Sequence, residues 1–180
     1  IISWLVGGRS AEYANTFMDD LAQRLANRVQ LTSDGLKAYL DAVAGAFGVD
    51  VDYAQLVKIY GETVEGQKRY SPAEFVSCRQ IGVPGNPDRK HISTSFAERQ
   101  NLTMRMCMRR FTRLTNGFSK KFESHVHMVA LYTVWYNWCR IHKTLRVTPA
   151  MQAGLTDRTW DLSEVVELMD AAAPKPGRPK

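Results

Sequence analysis

The amino-acid sequence predicts an α/β domain whose sheet is at least partly parallel. Three observations predict this class: the chain is long enough for one domain, its composition is globular, and strand and helix patterns alternate along its first third. It has 180 residues, of which 44% are hydrophobic and 23% are charged. These values exclude a wholly disordered, collagen-like or low-complexity chain.

The first sixty residues carry the alternation. Residues 1–6 (IISWLV) predict the end of a buried strand. Residues 10–25 predict a helix, because Ser10 is a good N-cap and apolar residues recur at every fourth position. Further along, the patterns predict a strand over 29–32, a helix over 36–47 and a strand over 51–60. Strands separated by helices in this order favour parallel pairing.

The rest of the chain is less regular. Residues 61–90 carry four glycines and three prolines and predict a long loop or flap inserted into the domain. Helical periodicity resumes at Ser95 and predicts a helix to about Phe111, followed by a strongly apolar helix over 122–138. We predict one domain over residues 1–165, with residues 166–180 as a flexible basic tail.

The positive charge is concentrated in the middle of the chain. The net charge is +6 overall, but residues 89–146 hold 12 basic residues against two acidic ones, Glu98 and Glu123. Such a field suits a polyphosphate partner, since each phosphate that Lys or Arg neutralises releases counterions. A solvated basic face is the alternative, and acidic substrates or anionic lipid would fit the same charge.

The apolar segments and the cysteines of the sequence indicate the cellular compartment of the protein. The longest apolar-rich stretch, residues 126–138, is shorter than a membrane span, and residues 1–10 do not resemble a secretory signal. The start of the sequence resembles a cut through a longer chain. Cys78, Cys107 and Cys139 are odd in number and form no CxxC motif, which favours a reduced, cytoplasmic protein that does not enter the membrane.

Asp34 and Glu98 are the candidate site residues. Asp34 ends a predicted strand where a helix begins, and ligands in open α/β sheets bind outside the carboxyl ends of strands. Asp34 also fits a simple turn residue or a helix N-cap. Glu98 is the one acid between Arg89 and Phe122. It fits either a metal ligand or, with Ser95, a capping box.

Three segments around these residues together resemble one enzyme family. Residues 31–39 (LTSDGLKAY) and 91–121 (HISTSFAERQNLTMRMCMRRFTRLTNGFSKK) resemble the second- and third-acid regions of bacterial insertion-sequence transposases of the DDE class. Residues 136–151 (YNWCRIHKTLRVTPAM) resemble the motif that closes many integrase catalytic cores. The resemblance covers about residues 1–165, and the three segments occur in the family's order.

The resemblance implies a fold, a reaction and a cofactor. The family's fold is ribonuclease-H-like, a five-stranded mixed sheet with helices on both faces, of which this chain would lack the first strand or strands. Asp34 and Glu98 would be catalytic acids that bind two Mg²⁺ (or Mn²⁺) ions for DNA strand cleavage and strand transfer. The partners would be DNA, at transposon ends and at the target, and further copies of the chain. The location would be the cytoplasm of a bacterium, at the nucleoid.

The family's first catalytic acid lies on its first strand, and no acidic residue precedes Asp34 on a predicted strand. The three-acid site is therefore expected to be incomplete in this sequence. The 63 residues between Asp34 and Glu98 are accounted for by an insertion over 61–90. A non-catalytic DNA-binding remnant of a transposase is the alternative, and a structure-specific nuclease on the same fold is a third possibility.

Further residues are expected to contact DNA. Arg99 and Asn101 follow Glu98 on its predicted helix, and the resemblance implies that they bind donor-end or target phosphates. The spacing of the later arginines places them along one broad side, although a surface helix with methionines filling gaps in the core gives the same pattern. The predicted DNA-contacting residues are Arg99, Asn101, Arg105, Arg109, Arg110, Arg113, Lys120, Lys121, Arg140, His142 and Lys143.

Overall fold

The computed structural model describes residues 1–61, 75–82, 85–112 and 115–173. This part of the chain is a mixed α/β structure with six α-helices and a three-stranded mixed sheet, so the predicted α/β class is confirmed. It falls into two compact units, residues 2–115 and Ile1 with residues 116 onward. Among the described helices, none combines the length and apolar character that crossing a membrane requires.

The first unit contains the sheet. Its elements are α1 (Ala11–Gln23), β1 (Val29–Asp34), α2 (Ala38–Phe47), β2 (Val51–Tyr60), β3 (Phe75–Gly82) and α3 (Ser95–Cys107). The strand order is β1-β2-β3, with β1 parallel to β2 and β2 antiparallel to β3. Asp34, the last residue of β1, is paired with Leu56 of β2. The carboxyl ends of these two parallel strands therefore lie at the same edge of the sheet.

The core of the first unit joins α1, α2 and β2. Ala14 and Met18 are one helical turn apart on α1, and Ala42 and Val43 come from α2. Val51 and Tyr53 alternate on β2 and point to one face of the strand, as the pleat requires. The predictions for α1, β1, α2, β2 and the start of α3 are confirmed.

The predicted strand over residues 1–6 is wrong. These residues adopt no regular secondary structure, and none of the three described strands pairs with them. Ile2 and Leu5 are 58% and 42% exposed. An apolar run alone does not make a strand, because its backbone groups also need a hydrogen-bonded neighbour.

The predicted loop over residues 61–90 is wrong in part. It contains β3, which pairs with residues 54–60 of β2, and a 3₁₀ turn begins at Arg89. The glycines and prolines that flank residues 75–82 made the sequence resemble a loop. The segment is a strand because it pairs with β2, which lies earlier in the chain. Residues 62–74 and 83–84 lie outside the described part.

The second unit is helical. It contains α4 (Phe122–Val134), a π-helical turn over Trp135–Cys139, α5 (Pro149–Gln152) and α6 (Leu162–Ala172). The helix predicted over 122–138 is thus α4 with its π-helical extension. The tail predicted from residue 166 is wrong for residues 166–172, which belong to α6; Asp161 and Glu164 form a capping box at the start of that helix. Residues 174–180 lie outside the described part.

Acid is expected to weaken the first unit through Asp52. Arg28 donates two hydrogen bonds to this carboxylate, at 2.7 and 3.1 Å, and the Asn86 backbone N–H donates a third at 2.8 Å. The Arg28 guanidinium, with the Asn86 N–H, lowers the pKa of Asp52 to about 2. Because folding favours the charged form, its stabilising contribution is full above about pH 4 and is lost as the pH falls towards 2.

The expected result is that the difference in free energy of unfolding between wild type and Asp52→Asn shrinks from pH 4 to pH 2. Urea denaturation at a series of pH values measures it. Asp19→Asn, which alters an exposed carboxylate of α1, is the control. A difference for Asp52→Asn that does not change with pH would contradict the ion-pair explanation.

Candidate functional site

A cleft opens at the carboxyl ends of β1 and β2. Its volume is about 720 Å³, and all the residues that line it belong to the first unit. Asp34 from the end of β1 and Glu98 from the first turns of α3 both line it. The structure therefore brings the two predicted acids to one cleft. The other polar or charged side chains lining it include Arg9, Thr32, Ser33, Lys58, Thr94 and Asn101.

Asp34 is held in a turn. Its carboxylate is exposed, and Oδ1 accepts a hydrogen bond of 3.2 Å from the Leu36 backbone N–H. This is an Asx turn, a common use of Asp before Gly. Helix α2 begins only at Ala38 with Lys37 as its N-cap, so Asp34 does not cap that helix. The turn fixes one carboxylate oxygen and leaves the carboxylate facing the cleft.

A partly buried chain of hydrogen bonds supports this turn. The Gln55 side-chain amide donates to the Leu36 carbonyl at 3.1 Å and to the Tyr53 hydroxyl at 3.0 Å. The Tyr53 hydroxyl lies 2.7 Å from the Ser33 hydroxyl, which donates to the Asp34 carbonyl at 2.8 Å. Burial raises the pKa of Tyr53, which keeps its hydroxyl protonated at neutral pH. The backbone on both sides of Gly35 is thereby tied to β2.

Gly35 is needed where the turn approaches β2. A Cβ added there would lie 2.9 Å from Val57 Cγ2, closer than two carbons can approach without movement. We expect Gly35→Ala to reduce the free energy of unfolding by about 1–3 kcal/mol, the usual cost of overpacking. Thermal or urea denaturation measures this loss.

The second variant Val57→Ala makes room for the added methyl group and is expected to recover part of that loss. Gly45→Ala is the matched control, because Gly45 lies in α2 and an added Cβ there would meet nothing within 4 Å. That substitution is expected to stabilise the chain by about 0.5–1 kcal/mol. Equal effects of the Gly35 and Gly45 substitutions would contradict the close approach to Val57.

Glu98 does not form a capping box with Ser95, the alternative that its sequence context also fits. The N-cap of α3 is Thr94, whose hydroxyl donates to Glu98 Oε1 at 2.8 Å. The same oxygen accepts a hydrogen bond from the Lys58 ammonium, which forms an ion pair with it. The Lys58 hydrogen bond, followed by that from Thr94, lowers the pKa of Glu98. Glu98 is therefore a carboxylate anion at neutral pH, and its side chain is 53% exposed in the cleft.

The side chains of the cleft fit a magnesium ion in their chemistry. Among the described residues, no group of three or more His, Cys, Asp or Glu is arranged to hold a metal ion. Mg²⁺ prefers hard oxygen ligands, however, and is usually bound by one or two carboxylates, with water and substrate phosphates completing its shell. Asp34 and Glu98 supply two carboxylates in one cleft. They are the residues that could hold the ion.

The basic side chains predicted to contact DNA are divided between the units. Helix α3 buries none of its residues, and Arg99, Asn101 and Arg105 on it are exposed, as is Arg109 in the following 3₁₀ turn. Arg110 is half-buried, and Arg113 lies outside the described residues. Lys120, Lys121 and Lys143 are exposed in the second unit.

Arg140 and His142 are involved in packing within the second unit. The Arg140 guanidinium lies over the rings of Trp135 and Tyr136, at 5.4 and 5.8 Å from their centroids. The His142 ring packs edge-on against Tyr136 at 4.6 Å, and burial, followed by the charge of Arg140, lowers the pKa of His142. These contacts give both residues a structural role, and their contact with DNA stays a prediction.

Lys58 lines the cleft but is not among the site residues predicted from the sequence. It is the one basic residue of β2, in an otherwise largely apolar strand, and it stands two residues beyond the partner of Asp34. A single charge near the carboxyl end of a strand beside Asp34 was the available signal. Its pairing with Glu98 depends on where α3 lies, which the sequence pattern does not give.

Comparisons with known proteins identify no relative of this chain. No protein-family model, curated protein or solved structure matches the chain. The functional conclusion therefore depends on the sequence motifs and on the cleft.

Proposed function

We propose that this chain is the catalytic core of a DDE-type DNA transposase, which cleaves and joins DNA strands with divalent cations. The observation that carries this proposal is that Asp34 and Glu98, the two acids in the family-like motifs, line one cleft. The parallel β1–α2–β2 unit, with Asp34 at the end of its first strand, fits a ribonuclease-H-like fold. Cytoplasmic location and homo-oligomerisation are part of the same proposal.

The proposed reaction requires that the charge on the reacting phosphate be neutralised and that the attacking group be positioned in line with it. Divalent cations held by Asp34 and Glu98 would offset the charge that develops on a phosphate undergoing in-line displacement. In the first step, water attacks a phosphodiester at the end of the element, and the P–O bond to the 3′ oxygen breaks to leave a 3′-hydroxyl. In the second step, that hydroxyl attacks a target phosphodiester, forming a new P–O bond as the old one breaks. Neither step needs a covalent protein intermediate.

Helix α3 has the features expected of a DNA contact next to the reacting phosphate. It starts at the cleft with Glu98 and then presents Arg99, Asn101 and Arg105 to solvent. Arginine side chains contact phosphate oxygens in a way that fixes the position of a duplex without reading its sequence. A helix that buries none of its residues is explained if its exposed side lies against DNA.

The test is a product analysis with the natural polypeptide that contains this sequence. The substrate is labelled DNA carrying the ends of the element, together with a target plasmid and Mg²⁺. We expect nicked element ends and joined products, both absent in EDTA. Cleavage without joining would favour a structure-specific nuclease, and DNA binding with neither product would contradict the proposal.

The second candidate is a non-catalytic DNA-binding transposase remnant. The observation that favours it is the ion pair between Lys58 and Glu98, which neutralises one of the two acids. This candidate predicts salt-sensitive DNA binding without any dependence on divalent cations. The product analysis in Mg²⁺ and in EDTA separates the two candidates.

A further inference from the structure

A second cavity, which we call the side pocket, adjoins the cleft at Asp34. Its volume is about 240 Å³, and all the residues that line it belong to the first unit. The residues that line both cavities are Arg9, Phe17, Asp34, Leu36 and Tyr39. The side pocket and the cleft therefore share a rim, which carries one positive and one negative side chain.

Aromatic side chains from two helices line the side pocket. They are Tyr13 and Phe17 of α1 and Tyr39 of α2. Phe17 and Tyr39 are half-buried and pack against the core of the first unit. Tyr13 is 40% exposed and is not among the described residues of that core cluster. Proteins bind unpaired nucleic-acid bases by stacking them on aromatic side chains, and every base has a face that can stack.

The Tyr13 ring is held by the two glycines that precede α1. A Cβ added at Gly7 would lie 2.2 Å from two carbons of the ring, and one added at Gly8 would lie 3.1 Å from a third. The backbone of this segment lies directly against the ring, an approach that residues without a Cβ allow. Tyr13 is thus a partly exposed ring with a fixed position, which suits a stacking surface.

The rim that the two cavities share suits a phosphate group. Arg9 is exposed there, and Asp34 is one of the two proposed cation ligands. Burial, followed by the charge of Asp34, raises the pKa of Tyr39, while Arg9 acts in the opposite direction. The Tyr39 hydroxyl is therefore protonated at neutral pH and lies close to both charged groups. It can donate a hydrogen bond to a group bound at the rim.

The size of the side pocket limits what can enter it. Its volume is below the roughly 300–1000 Å³ of pockets that take drug-sized ligands. One planar ring system is a suitable occupant. In a DNA duplex the bases are paired and stacked, so a base reaches a protein pocket only after it has left the stack.

Resting on the proposed function, we propose that the side pocket receives one unpaired DNA base, stacked on Tyr13, while the phosphate of the same nucleotide lies at the rim beside Arg9 and Asp34. A nucleotide held at both points has its phosphate positioned for in-line attack. The preferred substrate is therefore DNA with an unpaired nucleotide at the reacting phosphate. Stacking on the ring offsets the cost of unstacking, which is least for a base that is already mismatched.

The test measures the affinity of the natural polypeptide that contains this sequence for three DNA probes in Ca²⁺. Each probe carries the end of the element, and the nucleotide at the reacting phosphate is paired, mismatched or abasic. We expect wild type to bind the mismatched probe about tenfold more tightly than the abasic probe, since stacking of one base contributes a factor of that order. The paired probe is expected to bind more weakly than the mismatched one, because its base must first leave the stack.

Three variants and one control assign this preference to the Tyr13 ring. Tyr13→Leu keeps an apolar side chain and is expected to reduce the preference for the mismatched over the abasic probe to about twofold or less. Gly7→Ala is expected to have the same effect, because the added Cβ would displace the ring. Tyr13→Phe keeps the ring and is expected to keep the preference. The control is Phe118→Leu, which alters an exposed ring that is not among the described residues lining either cavity.

The outcomes separate this inference from the proposed function. Equal affinities of wild type for the mismatched and abasic probes would overturn the inference. A Tyr13→Leu variant that is folded by thermal denaturation would also overturn it if it keeps the tenfold preference, or if it binds all three probes more weakly by the same factor. In each case the formation of joined products in Mg²⁺ leaves the proposed function standing. If the preference depends on Tyr13 but no joined products form, the proposed function fails and the base-binding pocket stands.

Discussion

Asp34→Asn and Glu98→Gln are each expected to lower cation-dependent strand transfer about 1000-fold. Metal-ion catalysis contributes several kcal/mol of charge stabilisation, and about 4 kcal/mol corresponds to a factor of about 1000 in rate. Each substitution keeps the shape of the side chain and removes the negative charge that would bind the cation. The measurement is the rate of joined-product formation in Mg²⁺ by the natural polypeptide that contains this sequence.

The control for this prediction is Glu12→Gln, which alters an exposed acid in the first turn of α1. It is expected to leave strand transfer unchanged. DNA binding in EDTA is expected to survive in all three variants, because none removes a basic side chain. Strand transfer at the wild-type rate by either Asp34→Asn or Glu98→Gln would show that the cleft is not the catalytic site.

Tyr53→Ala is expected to reduce the free energy of unfolding by about 3–5 kcal/mol, the range for truncating a large buried aromatic side chain. Tyr53 is fully buried and packs in the cluster that joins α1, α2 and β2. Its hydroxyl also joins Gln55 to Ser33, so truncation would leave both polar side chains short of a partner. Urea denaturation measures the loss.

Tyr53→Phe separates the two contributions. It keeps the ring and removes only the hydroxyl, so we expect a loss of about 1–2 kcal/mol from the unpartnered Ser33 and Gln55 groups. Because the Ser33 hydroxyl donates to the Asp34 carbonyl, this variant is also expected to weaken Mn²⁺ binding while the fold is kept. A Phe variant as unstable as the Ala variant would assign the effect to the hydrogen bonds, and a Phe variant with no effect would assign it to packing alone.

Local patterns in the sequence predicted most of the first unit. Two such patterns are the apolar residues at every fourth position of α1 and the glycine at the end of α2, Gly48. Each depends only on residues within a turn or two of one another. Gly48 caps α2 with a φ of 55°, a conformation that glycine adopts readily. Strand β3 was missed because its pairing with β2 is set by residues 15 to 28 positions away in the sequence. The prediction of a strand over residues 1–6 was wrong for the same reason, because the local sequence does not show whether a segment has a pairing partner.

In the candidate site, too, some features carry a local signal in the sequence and others depend on the tertiary structure. Asp34 and Glu98 stood out as candidates because each carries a local signal, one as an acid at a strand end and one as a lone acid in a basic segment. The structure places both in one cleft. The pairing of Lys58 with Glu98 could not be predicted, because it depends on the register of β2 against β1 and on the position of α3. The hydrogen bonds that join Gln55, Tyr53 and Ser33 also depend on that register, although the placement of Tyr53 and Gln55 on one face of β2 was visible in the sequence.

The measurement that tests the central claim most directly is an anomalous-difference map from crystals of this chain soaked in Mn²⁺. The account predicts a peak in the cleft within about 2.0–2.3 Å of carboxylate oxygens of Asp34 and Glu98. A cleft with no peak in crystals soaked at millimolar Mn²⁺ would contradict it.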